Sequence, residues 1–347
     1  MRHLLSLAAG ASMALGAWAH EADAQVRIIS LNPDGTLRAA DKDTEVDLGS
    51  NGLNTWRGLR ADDCLHVAEE PTSDTERVYD GLRTEIRAIP LGDQLFADLQ
   101  NSNISMCDGE VQRAGNESLY YLDTLDITVI PTSFPRMAED LQRGFLMMGT
   151  LHEMRHGWQD HLGLAVDPSA LSQQAYMAQL FAMEADASAY SVAASWQLMT
   201  QQNDPDAWHY LERDRYYAPI AAAFEQGLAE AGYDATGGEP ASADQMREAL
   251  QAAYQAWFND TPLPQIYRER AGDDLLNLPV MQGTADDQRE GLMARFDAVN
   301  AQADASGAGR PDSYFGEQQA ALAVSEALRW APVVAAAPMV TAPGHER

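Results

Sequence analysis

The sequence predicts an α+β fold that is mainly α: a small strand-rich N-terminal part followed by a long helical remainder. Three observations carry this. Branched and aromatic runs separated by turn residues stop at Pro131. Two long stretches without proline, 137–163 and 172–201, then have room for helices of many turns. From there to residue 330, helix-length segments alternate with breaks rich in Gly and Pro.

Taken in order, residues 1–24 have the form of a signal peptide. Arg2 and His3 give a short positive start, an apolar run follows, and Ala17-Trp18-Ala19 and Ala22-Asp23-Ala24 each offer a small-residue cleavage site. The apolar run is short for a membrane span. The expectation is a periplasmic or secreted bacterial protein, mature from about Gln25, forming one domain over 25–330 with a disordered tail at 331–347. Residues 25–132 form its strand-rich part and 133–330 its helical part.

Residues 25–50 read as short strands and turns, 49–75 as irregular chain, 86–89 as a strand and 91–102 as a short helix. Residues 119–122 and 126–130 read as two strands just before the first long helix, where an extended peptide can add to a sheet edge. Beyond the two long helices, further helices are expected at 205–231, 243–259, 285–303 and 314–330, with 261–283 broken by prolines.

Composition narrows the partners. The chain has 347 residues, 52 acidic and 23 basic, for a net charge of −29. Such a surface repels phosphate backbones and anionic lipid heads, which argues against nucleic acid and membranes. In an oxidising compartment, Cys64 and Cys107 are expected to form one disulfide. It closes a loop of about 43 residues, worth on the order of 4 kcal/mol if it acts through unfolded-chain entropy.

The first long helix carries the chemistry. His152-Glu153-Met154-Arg155-His156 is an H-E-x-x-H pattern. Residues four apart share a helix face, so two imidazoles can meet one ion, with Glu153 beside them to take and return a water proton. A catalytic zinc takes three protein ligands, so one more is needed. His161 lies about 140° round the helix from His156 and faces away. The metzincin spacing fails as well, because Gln159 and Leu162 stand where its glycine and third histidine belong.

The better source is the second long helix, in Phe181-Ala182-Met183-Glu184-Ala185-Asp186-Ala187-Ser188-Ala189-Tyr190. Carboxylates among alanines need a charge partner, and a cation supplies one. Glu184 and Asp186 are both candidates, and lying about 200° apart on the helix they are not expected to face one ion together.

Here the chain resembles known proteins. H-E-x-x-H with a later helical Glu resembles the gluzincin branch of the zincin metallopeptidases. More closely, HEMRHGWQ followed by EADASAY is similar to a bacterial family of metallopeptidases of uncharacterised function, with the motif H-E-x-R-H-x-W-Q and then E-A-D-A. The resemblance covers 119–190 and implies a zincin-like fold around one Zn2+ per chain, with His152, His156 and Glu184 as ligands. It further implies Glu153 as general base, Asp186 orienting a ligand imidazole or an arginine, and a peptide or protein substrate. One departure stands out: many gluzincins place the orienting Asp four residues after the ligand Glu, where this chain has Ser188.

Two rival expectations remain. Glu153-x-x-His156 is also half of a di-iron carboxylate site, with Asp206-Ala207-Trp208-His209 as its weak second half. The other rival is a secreted binding protein on a zincin scaffold. Tyr190, His209, Tyr210, Tyr216 and Tyr217 are the candidates for stabilising an oxyanion.

Overall fold

A computed structural model describes residues 45–47, 55–57, 64–67, 69–102, 104–107, 110–111, 119–121, 127–129, 139–164, 171–271, 284–305 and 315–330. The expected signal peptide, all but 45–47 of the strand-and-turn stretch 25–50, and the expected tail lie outside the described residues.

The strands come first, with helices between them. β1 (Glu45–Asp47), β2 (Thr55–Arg57) and β3 (Cys64–His66) precede α1 (Asp74–Arg87) and α2 (Pro90–Leu99). β4 (Ser105–Cys107), β5 (Glu110–Val111), β6 (Leu119–Tyr121) and β7 (Ile127–Val129) follow. One sheet has the order β1-β2-β5, the other β3-β4-β7-β6. In the second sheet β4 and β7 run parallel, and the other pairs are antiparallel. β6 and β7, the two strands expected before the first long helix, lean on that helix, and β6 is an edge. In the pairing of β3 with β4, Cys64 stands directly opposite Cys107. Their side chains lie outside the described residues.

The helical part opens with α3 (Glu139–His161) and α4 (Gln173–Gln202). α5 (Asp206–Arg213), α6 (Ala218–Glu230), α7 (Ala243–Asn259) and α8 (Leu263–Arg270) follow, then α9 (Ala285–Ala305) and α10 (Glu317–Leu328). α4 is the hub. From Met177 to Leu198 only Leu180 is not fully buried. α3, α5, α6, α7 and α10 all pack on α4. A helix covered on every side needs apolar or small residues all round, and the Ala and Ser of α4 meet that requirement.

Three expectations need correction. Residues 86 and 87 are helix, and no strand forms at 86–89. Ser73 and Glu76 make a reciprocal capping box that starts α1, and Tyr79, Leu82 and Ile86 recur at helical spacing on its buried face. The helix expected over 205–231 is two, α5 and α6. Asp214 accepts the amides of Tyr216 and Tyr217, turning the chain, and Pro219 sits in the first turn of α6. The prolines at 262 and 264 start α8 rather than break it, because the first turn has amides to spare.

Close backbone approach sets the position of α3. A Cβ on Gly144 would lie 2.3 Å from the Asp206 carbonyl oxygen at the start of α5. Backbone cannot step aside as a flexible side chain can. Gly144→Ala is therefore expected to destabilise the protein by about 1–3 kcal/mol through overpacking, measured by denaturant unfolding.

Candidate metal centre

α3 presents His152 and His156 one turn apart, and their rings meet edge to face at 4.8 Å between centroids. The two Nε2 atoms are 3.1 Å apart. Glu184, on α4, points into the same spot: its Oε2 lies 3.3 Å from His152 Nε2 and 3.6 Å from His156 Nε2. All three side chains are buried.

That Oε2 has no hydrogen-bond partner despite its burial, since neither imidazole meets it with hydrogen-bond geometry. An unsatisfied buried carboxylate oxygen is costly. The donor set fits a cation: two imidazole nitrogens and a carboxylate oxygen are metal ligands by chemistry, and they converge. Among the described residues this is the group of His, Cys, Asp and Glu side chains close enough to share an ion.

The charges agree with the geometry. Burial works most strongly against a proton on His156, yet Glu184 together with Glu153 and Gln159 outweighs it and raises the imidazole to about 9. Burial favours a neutral Glu184, yet the facing imidazoles hold its carboxyl well below the usual range. Without an ion, a proton on the imidazoles neutralises the carboxylate. With one, the ion takes that place.

Glu153 follows His152 on α3 and is buried. Its charge is felt at both His156 and Tyr217, so it stands at the edge of the same spot.

Asp186 is not in the cluster. Its oxygens accept from Arg155, with Nε to Oδ2 at 2.8 Å and Nη2 to Oδ1 at 3.1 Å. Gln159 Nε2 also donates to Oδ2, at 2.6 Å. The Arg155 guanidinium lies over the Trp158 ring at 3.6 Å and the Tyr190 ring at 4.5 Å from their centroids. Trp158 Nε1 in turn donates to Asp98 of α2, at 2.7 Å. Asp186 thus serves as the partner of an arginine, and Glu184 alone of the two carboxylates faces the histidines.

The expected oxyanion candidates scatter. The Tyr190 hydroxyl donates to the Leu91 carbonyl, Tyr210 lies against Asp214 and Phe145, and His209 is exposed. Tyr216 lies beside Arg215. Only Tyr217 reaches the site, its hydroxyl 3.3 Å from His152 Nδ1. Burial pushes that phenol well above its ordinary value, so it stays protonated. The second half of the di-iron reading is not assembled: Asp206 pairs with Arg143, and His209 faces solvent. His161 is exposed, as its helical angle predicts.

Residues 62–280 match the family described as "Putative metallopeptidase family (DUF6782)". Neither a curated protein nor a solved structure shows a significant match to the chain.

Metal binding here must displace the proton that His156 holds up to about pH 9. Because that value is raised, the competition reaches above neutrality. Metal affinity is expected to climb about tenfold per pH unit from about pH 7 toward the imidazole's titration and to level off beyond it. Chelator competition across pH measures this.

Proposed function

The chain belongs to the family described as "Putative metallopeptidase family", matched over residues 62–280, and on that premise we propose that it is a zinc-dependent peptidase acting outside the cytoplasm. The observation that carries the proposal is the convergence of His152 Nε2, His156 Nε2 and Glu184 Oε2 at separations of 3.1, 3.3 and 3.6 Å. Ligands at zinc's usual bond length of about 2.0–2.1 Å in a tetrahedron lie about 3.3–3.4 Å from one another. Two nitrogens in the set favour zinc over calcium or magnesium.

Zinc held by these three residues supplies Lewis acidity toward water and a substrate carbonyl. The rest of the work falls to the chain. Glu153 takes the proton that the attacking water gives up as its oxygen bonds to the carbonyl carbon. It then delivers that proton to the amine nitrogen as the C–N bond breaks.

An extended peptide or protein segment suits the edge. β6 is the outer strand of its sheet and lies beside α3, the helix that carries the histidines, so substrate backbone can pair with its free edge. An extracytoplasmic setting follows from the signal-peptide form of residues 1–24. That setting also favours a disulfide between Cys64 and Cys107, which the β3–β4 register places opposite one another.

Glu153→Gln is expected to keep one zinc per chain and lose about 10²–10⁴-fold in peptide hydrolysis. Glu184→Ala is expected to lose zinc itself, read by metal analysis of the purified protein. Zinc bound equally by wild type and Glu184→Ala would rule out this ligand set. Zinc binding without cleavage of any peptide by wild type would favour a binding protein.

A further inference from the structure

We propose that Gln159 is a positioning residue that fixes which nitrogen of His156 faces the metal, and that Arg155 and Asp186 set the direction of its amide. The inference rests on the zinc-site reading above and adds three residues to it.

The argument is a chain of donors and acceptors. A guanidinium can only donate. Arg155 sends Nε to Asp186 Oδ2 and Nη2 to Oδ1, so both carboxylate oxygens are acceptors. Gln159 places one end of its amide 2.6 Å from Oδ2 and 2.9 Å from the Met183 carbonyl oxygen. Two acceptors at that end require the NH2 group there. The amide oxygen therefore points the other way, to His156 Nδ1 at 2.8 Å. An amide oxygen accepts and cannot donate, so Nδ1 carries the proton. In the neutral ring that binds a metal, Nε2 is then left with a bare lone pair, on the side of Glu184 and His152 Nε2.

No link in the series can be turned round without placing two donors or two acceptors face to face. Gln159, Arg155 and Asp186 are all buried, so water does not offer a substitute partner. His152 differs. Its Nδ1 meets a phenol at 3.3 Å, and a hydroxyl can donate or accept. The fixed tautomer of the site is therefore that of His156.

Gln159→Met keeps the side chain's length and removes both ends of the amide. Its zinc affinity is expected to fall about 10–100-fold, the usual effect of losing a partner of a ligating histidine. In the zinc-loaded protein, the His156 Nδ1 proton, slow to exchange in wild type, is expected to exchange fast by NMR. Gln159→Glu keeps an acceptor toward Nδ1 and, with a proton shared between its other oxygen and Asp186 Oδ2 in place of the amide donor, is expected to recover part of the affinity and the slow exchange. A merely structural residue gives a different result: Gln159→Met melts at lower temperature while affinity and Nδ1 exchange stay as in wild type, which overturns the proposal.

Should Gln159→Met not fold, wild type and Gln159→Glu still decide. Zinc attached through Nδ1 of His156, seen in the ring-nitrogen shifts, overturns the proposal, and attachment through Nε2 with a protected Nδ1 proton in both proteins supports it. Failure of wild type to bind zinc at all counts against the peptidase reading instead. The metal-free protein with its imidazoles deprotonated then reports, by the same shifts, which nitrogen of His156 holds the proton.

Discussion

The Arg155–Asp186 pair joins α3 to α4 inside the core, and the register of the two helices depends on it. Both side chains are fully buried. Taking two charges out of water is costly, and a pair so placed adds little net stability. Its value is in alignment. Arg155 precedes His156 by one residue, and Asp186 follows Glu184 by two. A slide of one turn along α4 separates the guanidinium from its carboxylate and, in the same movement, takes Glu184 away from the histidines. A buried charge without its partner penalises that slide heavily.

Small residues make the approach of the helices possible. Around Glu184 and Asp186, α4 carries Ala182, Ala185, Ala187, Ser188 and Ala189, all buried. With little side-chain bulk between them, the short reach of a glutamate is enough to bring Oε2 within 3.3 Å of His152 Nε2. Asp186, on another side of α4, is reached by the longer side chains of Arg155 and Gln159. The aromatic rings of Trp158 and Tyr190 then fill the space around the guanidinium, and their polar ends reach Asp98 and Leu91 of α2. Packing and polar satisfaction thus extend from the site through three helices.

What can be read in the sequence follows from how local each feature is. His152, Glu153 and His156 are legible because one helix fixes their relation. Glu184 is legible because a carboxylate among alanines calls for a cation and the resemblance to the E-A-D-A motif selects it, while its angle from Asp186 says only that one of the two faces away. The long helices α3 and α4 lie within a residue or two of their expected bounds. The end of α1 is misread because Ile86 and Ile89 suit a strand taken alone, while the capping box that decides the matter lies at Ser73. Tyr217 is singled out only as one of several aromatics. Its contact with His152 spans 65 residues and depends on the turn at Asp214, which nothing in the α5–α6 stretch announces except Pro219. Gln159 reads as a neighbour of the motif, and its part in orienting His156 requires knowing where Met183 and Asp186 lie.

The composition of the cluster bears on whether an ion here would be structural or reactive. Structural zinc sites close the coordination shell with four protein ligands, usually rich in cysteine. Among the described residues the convergent group has three members, none of them cysteine. Three ligands leave one position of a tetrahedron for a reactant. Glu153 is buried next to a ligand rather than in solvent, and in the proposed peptidase it is the carboxylate that takes and returns the proton of a water at that position.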